Sequence, residues 1–188
     1  MIKNKNDLKY YLEQDRKALN IKRRKPKFFG DEIWKFEILL RKNEYFNNCN
    51  KNILYLPLKL YYKYKFHNLS VKLGILIPLN SFNEGLSIAH YGNIVVNSNA
   101  KIGKNCRIHE CVNIGANYGN KEAPIIGNNV FIGTGAKILG NIEIGDNIAI
   151  GANSVVTKSF TTKNITIAGV PAKKISDNDS LKYIIIKG

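Results

Sequence analysis

The chain has 188 residues, with 29 Lys and Arg against 14 Asp and Glu, a formal net charge of +15. At 44% hydrophobic and 10% aromatic it is too apolar for a disordered tail, and its length suits one domain with a small appendage. No apolar run reaches the roughly 18–20 residues of a membrane span, and Met1–Tyr11 is too charged for a signal peptide. Cys49, Cys106 and Cys111 cannot all pair and show no CxxC spacing, so a soluble cytoplasmic protein with free thiols is expected.

Residues 1–80 hold most of the charge, 18 Lys/Arg against 7 Asp/Glu for a net of +11; residues 81–188 hold 11 against 7, a net of +4. Such an imbalance reads either as solvated Lys-rich faces or as attraction to something anionic. No zinc-finger, RNP or helix-turn-helix signature points to nucleic acid, and peripheral contact with an anionic membrane at its inner face fits the basic first half better. Within this region Asp31–Lys42 places Ile33, Trp34, Phe36, Ile38, Leu39 and Leu40 in a helical pattern, with Asp31 and Glu32 suited to its start. Ile53–Phe66 is a second, aromatic-rich helix that Pro57 begins. These helices are expected to cap the element that follows.

That element is a repeat. Aliphatic residues recur every six positions at Val96, Ile102, Ile108 and Ile114, and again at Ile126, Ile132, Ile138, Ile144, Ile150 and Val156. Small or aliphatic residues follow four positions on, at Cys106, Val112, Val130, Ala136, Ile142, Ile148 and Ser154, and Gly follows many of the lead positions. Helices and ordinary strands have periods of 3.6 and 2.0, so a period of six needs a coil of three short strands joined by tight turns. The lead aliphatics stack inward, while Asn99, Asn105, Asn129, Asn147 and Asn153 suit the turns because they tolerate positive φ. After Val156 the pattern lapses: residues 157–188 are expected to leave the coil, Pro171 to end the repeat, and Leu181–Ile186 to form a terminal strand or helix. The division expected is a helical basic region at 1–80, a coil domain at 81–176 with an inserted loop at 116–125, and a tail at 177–188.

The stretches GLSIAHYGNIVV (85–96), AKIGKNCRIHECVNIGANYG (100–119), PIIGNNVFIGTGAKILGNIEIGDNIAIGANSVV (124–156) and ITIAGVPAKKI (165–175) resemble the hexapeptide-repeat acyltransferases. The nearest likeness is to serine acetyltransferases and to related O-acetyltransferases of capsule and exopolysaccharide synthesis. The resemblance implies a mainly β fold, a left-handed parallel β-helix with an N-terminal α-helical cap. It also implies a homotrimer with active sites between adjacent subunits, and acetyl-CoA as co-substrate with no metal.

Acyl transfer to a hydroxyl needs a general base and donors for the oxyanion, and histidine suits the first task. His67 has no motif around it. His90, in SIAHYG, matches the position that resembles the family's catalytic base, although its phase with Val96 and Ile102 also suits a buried core histidine. His109 is the second candidate, facing outward beside Glu110, whose carboxylate would favour the imidazolium. The resemblance places the pantetheine arm of coenzyme A along Ala116, Thr134 and Ala152, with Lys173 or Lys174 near the nucleotide phosphates. Tyr91, Asn113 and Tyr118 are the candidate acceptor contacts, and loop 116–125 is read as a binding loop.

Three departures bear on the acceptor. The family's Asp before the catalytic His is Ala89 here, its orienting Asp falls at Ile75 if Pro78 is the matching proline, and its second His falls at Ala123. These departures turn the expectation toward a sugar hydroxyl of a surface polysaccharide as acceptor, with serine as the alternative. A zinc-dependent carbonic anhydrase is not expected, since only three His exist and His67 precedes the repeats. A non-catalytic trimeric module would explain the coil but not His90, the loop and AGVPAKK together.

Overall fold

The computed structural model describes residues 1–49, 53–117, 119 and 121–184. Three helices come first: α1 (Lys5–Ala18), α2 (Glu32–Cys49) and α3 (Leu56–Leu73), the last preceded by a 3-10 turn at Ile53–Tyr55. Helices α2 and α3 occupy the two predicted helical segments. Pro57 sits in the first turn of α3, where a missing N–H leaves no hydrogen bond unmade, and Gly74 ends the helix in the left-handed conformation at φ 71°. Helix α1 is one the apolar pattern does not announce, since only Tyr11, Asp15 and Ala18 are buried along it; Asn4 caps it by accepting from the N–H groups of Asn6 and Asp7.

From Ile75 the chain winds into a left-handed parallel β-helix of triangular section. The first face holds β1 (Ile75–Leu76), β3 (Ile94–Val96), β6 (Asn113–Gly115), β9 (Lys137–Leu139) and β12 (Val155–Val156). The second holds β4 (Lys101–Ile102), β7 (Ile125–Ile126) and β10 (Glu143–Ile144), continued by bridges from Phe82 to Ile102 and from Ile144 to Phe160. The third holds β2 (Ser87–Ile88), β5 (Arg107–Ile108), β8 (Phe131–Ile132), β11 (Ala149–Ile150) and β13 (Thr166–Gly169), and β14 (Ala172–Ser176) folds back antiparallel on β13.

The hexad residues are the inward ones. On the third face Ile88, Ile108, Ile132, Ile150 and Ile167 stack in register, each buried. Val96, Ile114, Ile138 and Val156 do the same on the first face, and Ile102, Ile126 and Ile144 on the second. A narrow prism filled by aliphatic columns gives the close packing that a solenoid needs between neighbouring coils.

The corner between the second and third faces is pinned by asparagine. Asn105, Asn129, Asn147 and Asn164 all have φ between 54° and 59°. Each amide nitrogen donates to the next amide oxygen, at 2.9 Å from Asn105 to Asn129 and 2.8 Å for the two bonds that follow.

The coil runs further than the hexad phase suggests. Phe160 bridges to Ile144, β13 pairs with β11, and Ile165 and Ile167 are buried, so residues 157–169 complete another coil rather than leaving it. Ile150 to Ile167 spans 17 residues where Ile132 to Ile150 spans 18, and that single missing residue breaks the period. Pro171 lies in the β13–β14 hairpin. Leu181–Tyr183 forms a 3-10 turn, and the predicted terminal element beyond Ile184 lies outside the described residues.

The helices do cap the first coil, and they do so with buried charge. The N–H groups of Gly85 and Leu86 donate to Asp15 Oδ1 at 2.8 and 2.9 Å, and the N–H of Ile88 donates to Glu37 Oε1 at 3.1 Å. Arg41 donates to the carbonyls of Phe82 and Asn83 at 2.9 and 2.8 Å. It also pairs with Asp15 at 2.7 Å and Glu44 at 3.0 Å. The five backbone groups belong to the open edge of the first coil, and the cap side chains supply the partners that no further coil provides. Burial alone would lower the Arg41 guanidinium, but the carboxylates of Asp15 and Glu44 outweigh it and hold it above its ordinary range.

Candidate active site

His90 lies in the corner between β2 and β3, and that corner is irregular. Ile88 to Val96 spans eight residues, whereas Ile108 to Ile114, Ile132 to Ile138 and Ile150 to Val156 each span six. The two extra residues push His90 out of the inward phase: it is exposed, not a core histidine.

Strand register then sets its neighbours. Ile88 pairs with Ile108, Ile108 with Ile132 and Ile132 with Ile150, so the residues two positions on form a column: His90, Glu110, Thr134 and Ala152. The His90 and His109 rings meet edge to face with centroids 5.4 Å apart. Glu110 Oε1 accepts from Thr134 Oγ1 at 2.9 Å, while Oε2 has no hydrogen-bond partner among the described residues and lies 3.9 Å from His109 Nδ1. Its own backbone N–H, and then the Thr134 hydroxyl, keep the Glu110 carboxylate ionised, below its ordinary range. The partnership of His90 with Glu110 is a contact that sequence reasoning missed. It follows from the register, which becomes visible only once the corner is known to hold two extra residues.

His109 departs from expectation in its charge. Its side chain leaves the prism interior but is covered by His90 and by Phe131, whose ring lies 5.1 Å away. That burial, followed by the charge of Arg107, lowers its pKa despite Glu110, so the neutral imidazole is favoured rather than the imidazolium. Ile75, the position expected for an orienting carboxylate, is buried on β1 and offers none. His90, His109 and Glu110 each bring one donor atom within 4.8 Å of the others, the one such group among the described residues that could hold a metal ion.

The remaining candidates divide between places. Thr134 and Ala152 belong to the His90 column. Ala116 lies at a different corner, directly after β6. Lys173 is exposed on β14, and Lys174 pairs with Asp177. Strand β14 is five strand spacings from β2 on the third face, about 24 Å at the usual 4.8 Å separation. Asn113 is half-buried on the first face. Tyr118 lies outside the described residues. Tyr91 turns away from the histidines and donates to Glu32 Oε2 at 3.2 Å, which ties the corner to the start of α2. Between corner and cap lies a cleft of about 210 Å³ that includes Ala89, Tyr91, Ile88, Trp34 and Asp31. Asp31 is held ionised there by the N–H of Lys27 and by Arg23. This cleft is a second feature that sequence alone does not locate.

Residues 123–158 match the family model described as bacterial transferase hexapeptide (six repeats). A serine acetyltransferase of Synechococcus elongatus is 38% identical over 100 residues, covering 52% of this chain and 41% of that protein. The chain thus spans under half the length of that curated relative. Among solved structures, a Brucella abortus serine acetyltransferase in complex with coenzyme A aligns with a TM-score of 0.68 and 27% identity, covering 93% of this chain and 70% of its own. A Neisseria gonorrhoeae serine acetyltransferase in complex with serine aligns with a TM-score of 0.67 and 27% identity, covering 92% and 70%. These likenesses overturn the expectation of a polysaccharide sugar as acceptor, since the relatives found are serine acetyltransferases. Repeat, coil and corner thus agree with these likenesses: residues 123–158 resemble the hexapeptide transferase repeats, and the wider chain is similar to serine acetyltransferases.

Proposed function

We propose that the protein transfers the acetyl group of acetyl-CoA to the hydroxyl of serine. The observation that carries this reading is the column along one prism edge, in which His90 stands beside an ionised Glu110 and in register with Thr134 and Ala152. In direct transfer His90 takes the hydroxyl proton as the serine oxygen attacks the thioester carbonyl. The tetrahedral oxyanion is met by a backbone N–H of the coil, the C–S bond breaks, and the departing sulfur takes the proton back from His90. Glu110 stabilises the imidazolium that forms between these steps, the task left open by Ile75. Neutral His109 beside it adds no competing positive charge.

Thr134 and Ala152 give the pantetheine arm a low ridge on which to lie, and Lys173 waits at the far end of that face for the nucleotide phosphates. The cleft at Ala89 has the size of a single amino acid and adjoins the corner that carries His90. Because Ala116 and loop 116–125 lie on another edge, a complete site draws on two copies, which supports a homotrimer. Free thiols support a reducing, cytoplasmic setting.

The test is acetyl-CoA-dependent thiol release with L-serine as sole acceptor. Saturable release is expected, and His90→Ala should lower turnover by about 10²–10⁴ while folding normally. No release above hydrolysis by protein that binds acetyl-CoA rejects the serine reading. Full activity of His90→Ala rejects the base.

A further inference from the structure

The outer face of the helical cap is unlike the rest of the surface. Along α3, Tyr62, Phe66, Leu69 and Leu73 turn inward. Leu60, Tyr64 and Val71 follow the opposite line, at spacings that keep residues on one side of a helix, and are 55–69% exposed. Lys59 and Lys63 border this stripe on one side and Lys65 and Lys72 on the other, and α3 has no acidic residue. Beside it a groove of about 650 Å³ between α2 and α3 is lined by Lys35, Lys42, Lys65 and Lys72 together with tyrosines.

Pro26 also lines that groove, so loop 21–30 lies alongside. The loop reads IKRRKPKFFG, and Phe28 and Phe29 at its end are 88% and 84% exposed. Asp15, Glu37 and Glu44 are buried against the coil; Asp31 pairs with Arg23 of the loop and Glu32 lies 3.9 Å from Lys35, which leaves the α3 lysines and the rest of the loop to set the charge of this face.

We infer that this face, loop 21–30 together with the outer stripe of α3, docks the protein on an anionic phospholipid bilayer. Apolar side chains on a lysine-flanked line suit the boundary between headgroups and acyl chains, where lysine stems extend to the phosphates. A second copy of this chain would bring the α3 lysines against one another with no carboxylate on that helix between them. A polyanion in solution would engage the lysines and leave Phe28, Phe29 and Leu60 in water. Among the described residues no helix is long and apolar enough to cross a membrane, and the contact inferred is a peripheral one.

The test is sedimentation of the purified full chain with vesicles of about 30% phosphatidylglycerol in phosphatidylcholine, against phosphatidylcholine alone. Binding to the anionic vesicles is expected to be at least about tenfold tighter. Lys65→Glu/Lys72→Glu should weaken it by about 25-fold or more, taking each basic residue near such a surface as worth about fivefold. Phe28→Ser/Phe29→Ser leaves the charge unchanged and should still weaken binding at least about tenfold. All four residues are exposed, so far-UV circular dichroism should match the wild type. Absence of vesicle binding, equal binding to neutral vesicles, or full binding by the Phe pair overturns the inference. So does lipid-free, concentration-dependent assembly in light scattering that the Phe pair abolishes, which would assign the face to a second copy.

Discussion

Replacing Arg41 with Met keeps the side-chain volume and removes the guanidinium that closes the first coil. Arg41 makes ion pairs with Asp15 and Glu44 and donates to two edge carbonyls, those of Phe82 and Asn83. Breaking a buried pair from one side costs about 3–5 kcal/mol because the remaining charge is left without a partner. Each orphaned carbonyl adds about 1 kcal/mol or more. Against this, Asp15 still accepts from Gly85 and Leu86, and Glu44 from Asn80. A net loss of about 4 kcal/mol is expected, a large share of the 5–15 kcal/mol of an ordinary domain. Equilibrium urea unfolding measures it with two probes: Trp34, buried in α2, reports the cap, and far-UV circular dichroism reports the coil. The unpaired carboxylates of the variant hold protons more tightly folded than unfolded, so its deficit should shrink as pH falls from 8 to 5. Arg41→Lys keeps the charge but not the fork, and should lose less. A deficit below about 1 kcal/mol, or one independent of pH, refutes the view that this residue closes the coil.

Other consequences follow from the same geometry. Burial, and then the nearby Asp15, raise the Glu37 carboxyl well above its ordinary range, so the folded chain keeps a proton that the unfolded chain releases. Stability attributable to Glu37 therefore falls as pH rises above about 4, and Glu37→Gln should be the more stable protein at pH 8, with the difference gone at pH 4 in urea titrations. His109 is shifted the other way: its proton NMR titration should have a midpoint below 6.5, and the stability it contributes should be lost as pH falls through that window, a slope that His109→Gln removes. A midpoint above 6.5 would contradict the burial argument. Asn129→Ala loses two ladder bonds and a residue suited to φ 54°, for about 3 kcal/mol; Asn129→Gly loses only the bonds, for about 2 kcal/mol, as thermal unfolding would show.

The coil could be read from sequence because its inward positions leave no choice. A prism this narrow admits aliphatics at every sixth residue, and Ile102, Ile126 and Ile144 stand where the period puts them. The charged cap could not be read that way. Asp15, Arg41 and Glu44 look like ordinary solvated helix positions, and only the unpaired edge of Phe82–Leu86 gives them a purpose. Helix α1 hides for the same reason, since a burial stripe of Tyr11, Asp15 and Ala18 has almost no hydrophobic signature, although Asn4 followed by Asp7 was a usable start signal. His90 was readable as a residue and not as a place. Uniform hexad counting sends it inward, and the two extra residues of its corner send it outward to Glu110. The last coil escapes because one missing residue breaks the count before Ile167.

The asparagine corner has a consequence for how such a molecule can change. Ile102 to Ile108, Ile126 to Ile132 and Ile144 to Ile150 each span six residues, while in the last coil Phe160 to Ile167 spans seven and Asn164 still joins the amide ladder. The longer insertions appear at the other two corners, at His90 and between Ile114 and Ile126. An insertion at the asparagine corner must still present an asparagine to the amide ladder, as Asn164 does, whereas one elsewhere only lengthens a loop. Division of labour among the three edges follows: one is a spine that resists change, and the other two are free to acquire new side chains. New chemistry on this scaffold should therefore arise by lengthening the turns at those two edges, while the spine keeps the coils in register.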